Sequence, residues 1–163
     1  MMRAPISPVR LAATCLLSAL ALLTATAALA DPAAHLNVQK GGVAVHGYDP
    51  VAYFTAGKAT PGKAEFTAVH EGATYRFASA GNLAAFKADP AKYAPQYGGW
   101  CAYGVAQGVK ADGDPNVWKV VDGKLYLNVT PDIGRKWVKD IPGYLKQSEA
   151  KWPKIKDTPA DKL

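Results

Sequence analysis

The sequence predicts a single small α+β domain of two β-hairpins with short helices. Three observations carry that reading. "AEFTAVHEGATYRFAS" and "VWKVVDGKLYLNV" each alternate with period two around a Gly-containing turn. Helix starts follow both stretches, at Ser79 and at Thr130-Pro131-Asp132. No strand–helix–strand unit repeats, so hairpins and helices are segregated along the chain.

Residues 1–30 stand apart from this domain. Arg3 and Arg10 give a positive start, "LAATCLLSALALLTATAALA" an apolar run, and "ALA" at 28–30 a small-x-small cleavage site. That is the layout of a secretory signal peptide. The run is also about long enough to span a bilayer, so a retained anchor is the alternative, but the cleavage site favours removal. Cys15 lies early in the run, away from the cleavage site. Cleavage leaves 133 of the 163 residues, enough for one domain with a usable core. No second long apolar segment follows, so no stable membrane insertion is expected after cleavage. The basic residues fall from 19 to 17 against 13 acidic ones, a net charge of about +4. These charges are dispersed and no nucleic-acid motif is present, so a nucleic-acid partner is not expected.

Within the domain, "NVQKGGVAVHGYDPVAYFTAGKATPGK" reads as a strand-like run and turns around the short apolar core "DPVAYF", followed by an exposed loop. In the first hairpin Phe66, Ala68 and His70 alternate with Thr67 and Val69. After Glu71-Gly72, Tyr75 and Phe77 alternate with Thr74 and Arg76. Ser79 caps a helix whose Leu83 and Phe86 share a face, and Asp89-Pro90 stops it and starts another. Pro95 and Gly98-Gly99 end that one. "GVAQGVKADGDPN" reads as mostly turn. Asp122-Gly123 turns the second hairpin. The helix after Thr130 carries Ile133 and Trp137, and a last segment with Ile141, Tyr144 and Leu145 packs back. The domain is expected to span 31–153, with 154–163 a flexible tail.

Cys101, in "QYGGWCAYG", is the one cysteine left after cleavage. A single thiol excludes an intramolecular disulfide framework and any all-cysteine metal cage. It is either a buried small hydrophobe, a partner in an intermolecular disulfide, or a reactive thiolate or soft-metal ligand. If "CAYGVA" opens a helical turn, exposed N–H groups there would lower the thiol pKa. His46 and His70 are candidate metal ligands, each with an ordinary surface histidine as the plainer alternative. With Cys101 they would make a His₂Cys set, which suits a transition metal such as copper. Tyr48 and Asp49 in "GYDP" are candidate ligand contacts, although an Asp-Pro carboxylate commonly caps its own backbone. Asp89-Pro90 and Asp114-Pro115 read the same way. Most of the aromatic rings read as core. A pocket walled by Tyr53, Tyr97 and Trp100 would still suit a flat or apolar ligand, with Cys101 or Asp49 as its polar handle. No Ser-His-Asp arrangement, HExxH, carboxylate pair at readable spacing or phosphate loop is present, so catalysis is not expected.

The pieces "GYDPVAYF", "GATYRFASAGNLAAFKADPAKYAPQYGGWCAYGVAQG", "DPNVWKVVDGKLYLN" and "DIPGYL" resemble the exported bacterial YHS domain-containing (seleno)protein family, over roughly residues 38 to 153. The resemblance implies a YHS-like fold and a periplasmic or secreted protein of the bacterial cell envelope. Short YHS modules resemble small metal-binding domains with three cysteines. Those cysteines fall here at Ala52, Ala78 and Asn82, so the resemblance carries over the fold and not that metal site. Tyr75, Phe77, Phe86, Pro90 and Tyr93 match as packing positions. The family name implies that some relatives carry selenocysteine, at the position of Cys101, which would favour redox or soft-metal chemistry there. The expected function is a non-catalytic protein binding a metal or small ligand near "GYDPVAY" and "YGGWCAY". The alternatives are a thiol redox protein acting through Cys101 and a structural or partner-binding module without chemistry.

Overall fold

Glu71 and Gly72 turn the first hairpin with φ of 51° and 88°, the left-handed pair that a two-residue hairpin loop requires. The computed structural model in which this is seen describes residues 34–163. The signal-peptide reading of 1–30 lies outside the described residues. Strands β3 (Lys63–His70) and β4 (Ala73–Phe77) flank the turn and pair antiparallel. Phe66, Ala68 and His70 are half-buried while Thr67 and Val69 are exposed, as the alternation requires. Two short strands, β1 (Val38–Gln39) and β2 (Val43–Ala44), extend this sheet to the order β1-β2-β4-β3, with β2 parallel to β4.

The second hairpin forms a separate sheet of β5 (Asp114–Val121) and β6 (Lys124–Asn128), turned at Asp122 and Gly123 with φ of 50° and 73°. β6 departs from simple alternation, because Leu125 through Asn128 are all buried. Leu125 and Leu127 pack into the main core with Val51, Tyr53, Tyr75, Phe77 and Phe86. Tyr126 points the other way, against Ala102 and Trp137. β6 is thus the shared wall of two cores.

The helices are short and well capped. α1 (Ala52–Thr55) follows the "GYDP" turn. Ser79 accepts from the Asn82 N–H and starts α2 (Ala80–Ala88), which buries Phe86 on the sheet. Asp89 caps α3 (Pro90–Tyr93). Cys101 caps α4 (Ala102–Gln107), and Gly108 ends it with φ 88°. The expected turn after Cys101 is therefore helical up to Gln107: Ala102, Val105 and Ala106 are fully buried, and this tertiary packing outweighs the glycines. Thr130 caps α5 (Pro131–Trp137), and α6 (Ile141–Ile155) packs on α4, with the Ser148 hydroxyl donating to the Ala102 carbonyl at 3.2 Å. Among the described residues no helix is long and apolar enough to cross a membrane.

Packed chain continues past residue 153. Ile155 is buried, and the Lys110 ammonium donates to the carbonyls of Lys156 and Thr158 at 2.6 Å each and of Ala34 at 2.8 Å. All three ammonium protons are used, and the rings of Trp100 and Trp152 lie 5.8 and 5.7 Å from Nζ. A cation suits this place because helix C-terminal carbonyls are otherwise unpaired and carry partial negative charge. Burial lowers the Lys110 pKa, and Asp157 opposes that effect. Lys110→Met is expected to cost about 2–4 kcal/mol, since three carbonyls lose a charged donor. Hydrogen exchange would speed up at residues 34–38 and at the end of α6; unchanged protection at both ends would contradict this role.

Candidate functional site

Asp49 is fully buried, and its carboxylate is saturated. Oδ1 accepts from the N–H groups of Val51 at 2.8 Å and Ala52 at 3.3 Å. Oδ2 accepts from the Ala78 N–H at 2.8 Å and from Asn82 Nδ2 at 2.6 Å. The Asp-Pro turn supplies the first pair and the start of α2 the second. Three of these four donors come from Ala52, Ala78 and Asn82, the positions where short YHS modules carry cysteine. A metal needs lone pairs aimed inward, whereas here three N–H groups and an amide NH₂ converge on one anion. The residues present do not fit a metal at this place. Asp49 is a structural anchor and not the ligand contact expected of it.

Cys101 is also sealed, at 0% exposure. Its Sγ accepts from the Gly104 N–H at 3.4 Å and donates to Asn128 Oδ1 at 3.5 Å. Burial pushes the thiol pKa up, with the N–H groups of Gly104, Val129 and Tyr103 only partly opposing it. The helical turn expected to activate the thiol is present, but desolvation outweighs its N–H groups. Cys101 caps a helix and ties it to β6, and no ligand can reach it in this conformation.

The histidines are not brought to Cys101. His70 sits on β3 with its ring edge-on to Phe86 at 5.9 Å. His46 sits in the turn after β2 and meets Asp112 Oδ1 at 2.9 Å and Gln39 Nε2 at 3.1 Å through Nε2. Among the described residues no three His, Cys, Asp or Glu side chains group so as to hold a metal ion. The fold does not bring His46, His70 and Cys101 together: each residue has its own local partner. The aromatic pocket does not assemble either. Tyr53 is buried and donates to the Pro115 carbonyl at 2.8 Å, Tyr97 packs on Tyr126 and Trp152, and Trp100 packs by Lys110.

What the fold does assemble is a polar cleft of about 450 Å³ lined by His46, Tyr48, Asp112, Asp114, Asn116 and neighbouring apolar groups. Two left-handed turns hold it. Val45, His46 and Gly47 have φ of 51°, 52° and 80°, and Tyr97, Gly98 and Gly99 have 54°, 61° and 89°. Positive φ at a β-branched residue such as Val45 is a strained state that the surroundings must enforce. Asn37 ties down the second turn, donating from Nδ2 to the Gly99 carbonyl at 3.1 Å and to Asp112 Oδ1 at 2.6 Å. Gly113 carries no side chain because the Gly99 carbonyl and Leu127 Cβ occupy that space. The segment "ADGDPN" can therefore lie directly against the second left-handed turn.

The two carboxylates of this cleft differ from Asp49. Asp112 accepts from Asn37 and His46 through Oδ1, and Asp114 accepts from the Asn116 N–H and Nδ2 through Oδ1. Among the described residues no protein group engages Oδ2 of either. Of the candidate residues, only His46 and Tyr48 reach this cleft. Asp112 and Asn116 are not among the residues the sequence singles out, and Asp114 reads there as a turn residue. Their signal was two aspartates two apart around a glycine, between an apolar helix and a hairpin.

These features describe a small α+β domain with a buried, donor-saturated carboxylate and a separate open polar cleft. Residues 51–97 match the family model of the YHS domain, so a YHS domain is present in that stretch of the chain. The match covers α1 to α3 and ends at Tyr97, the first residue of the second left-handed turn. Asp49, Cys101 and every residue lining the cleft lie outside it. No curated protein and no solved structure matches the chain.

Two outcomes are expected. Asp49→Asn should lower stability by about 3–5 kcal/mol, because four donors lose a buried anion. Asp114→Asn, at a half-exposed site, should change it by no more than about 0.5 kcal/mol. Equal costs in urea melts would refute the distinction. Native Cys101 should resist iodoacetamide at neutral pH and react only in denaturant. The folded chain also keeps protons that the unfolded chain releases: burial holds Tyr75 and Tyr126 at about 12 against 10.0, and raises Cys101 above 9.0. Stability should thus fall as pH rises from about 9 to 12. A urea midpoint that is flat or rising over that range would contradict the sign.

Proposed function

We propose that this chain is an exported, non-catalytic small-ligand-binding protein, with the cleft between His46, Tyr48, Asp112, Asp114 and Asn116 as its site. The observation that carries the reading is that Asp112 and Asp114 line one cleft beside His46, each with an Oδ2 that no protein group engages among the described residues. Carboxylate oxygens left free in a concave site are available to a ligand. Two carboxylates and the Tyr48 ring suit a small organic cation, through charge-assisted hydrogen bonds and contact with an aromatic face. Export rests on the signal-peptide layout of residues 1–30, which supports a periplasmic or secreted location. The single-cysteine redox alternative finds no support in a sealed thiol.

An NMR titration of ¹⁵N-labelled protein tests the reading, with choline and spermidine as organic cations and Cu²⁺ and Zn²⁺ as metals. Saturable shifts confined to His46, Tyr48 and residues 112–116 are expected with an organic cation, with affinity falling at least tenfold in Asp112→Asn/Asp114→Asn. Absence of any saturable shift in this cleft would refute the reading and favour a structural or partner-binding module.

A further inference from the structure

The backbone sets the two carboxylates of the cleft at a fixed interval. Asp112 pairs with Trp100 in an antiparallel bridge, and Asp114 lies opposite Asn128 at the start of β5. Gly113 between them is buried and faces inward, since a Cβ there would run into the Gly99 carbonyl and Leu127 Cβ. Side chains alternate along extended chain, so Asp112 and Asp114 share the outer side, and both line the cleft. Residues two apart in such a segment are about 6.6 Å apart. Both carboxylates are also oriented: Asn37 and His46 hold Oδ1 of Asp112, and Asn116 holds Oδ1 of Asp114.

No Lys or Arg lines this cleft, although the sequence has 19 basic residues against 13 acidic ones. A second concavity of about 320 Å³, on the other side of Asn116, has the reverse lining, with Lys119 and Arg135 and no carboxylate. Two like charges held side by side in a concave site repel each other. A single cation neutralises one of them, and two cations at the same interval neutralise both. Among the described residues no trio of His, Cys, Asp or Glu is placed to hold one metal ion, so one ion does not serve both carboxylates. Tyr48, Pro115 and Val129 give the cleft apolar surface that suits methylene groups. We infer that the cleft takes a linear aliphatic α,ω-diamine of four or five carbons, with one ammonium at each carboxylate and the methylene chain against Tyr48 and Pro115. This names the ligand class of the small-cation site and rests on that reading. A chain of four or five carbons sets its nitrogens about as far apart as residues i and i+2 of a strand. A shorter diamine fails to reach both carboxylates, and a longer one has to buckle, at a cost in chain freedom.

The test is a ¹H–¹⁵N titration of the protein with α,ω-diamines of two to eight carbons, with butylamine, choline and Ca²⁺ for comparison. Saturable shifts at residues 112–116 should be strongest in affinity at four or five carbons. The best diamine should bind about tenfold or more tighter than butylamine, because its second ammonium binds intramolecularly. Asp114→Asn, at a half-exposed site, should bring 1,4-diaminobutane down to the level of butylamine and leave butylamine itself nearly unchanged. Butylamine or choline binding as tightly as the best diamine overturns this proposal and leaves the small-cation reading standing. So does an affinity that shows no optimum in chain length, or a diamine preference that survives in Asp114→Asn. Ca²⁺ binding in the cleft more tightly than every diamine also overturns it. No saturable shift with any amine overturns both this proposal and the small-cation reading.

Discussion

A buried carboxylate is tolerable only when every lone pair it presents is met by a donor, and Asp49 meets that condition with atoms from three parts of the chain. The turn that places Pro50 and Val51, the first turn of α1 and the junction of β4 with α2 all converge on its two oxygens. Once those distances are set, Tyr53, Phe77 and Phe86 have little choice but to face the same interior, where each is almost fully buried. The order of causes runs from one anion to a backbone arrangement and then to a hydrophobic core. It also explains why alanine serves at positions 52 and 78. What the anion uses there is the backbone N–H, and a small side chain leaves that group accessible.

Asp49, Asp112 and Asp114 show how environment assigns different work to one residue type. Inside the core, four donors leave Asp49 nothing to offer. At the edge of the fold, Asp112 and Asp114 each spend one oxygen on local order and keep the other. Two left-handed turns, at 45–47 and 97–99, lie against the segment that carries them. The two concavities on either side of Asn116 then divide by charge, one lined by carboxylates and the other by Lys119 and Arg135.

Local chemistry was legible in the sequence. Ser79, Asp89 and Thr130 cap the helices they announced, and Glu71-Gly72 and Asp122-Gly123 turn the hairpins they announced. These devices act within a few residues, so a linear reading captures them. The helix after Cys101 was hidden because glycines at 104 and 108 resemble loop, and only burial against α6 makes that turn worth forming. The site was less legible. Asp112 meets His46 across 66 residues and Asn37 across 75, and no spacing rule spans such distances. Cys101 drew attention as the lone thiol, yet its neighbours Asn128 and Leu127 on β6 seal it from outside. His46, His70 and Cys101 were compatible by ligand chemistry alone, and the topology sends them to different partners.

The Lys110 ammonium brings the Ala34 carbonyl within two hydrogen-bond lengths of those of Lys156 and Thr158. The described fold therefore begins and ends at one spot. Such a domain behaves as a plug-in unit: it can be spliced into a surface loop of another protein with short joints, because its entry and exit do not have to be bridged across the fold. The same closure concentrates tension. A pull applied between the two ends would load the ammonium and its three carbonyls before it reached either core, so this one side chain is the latch of the domain under force.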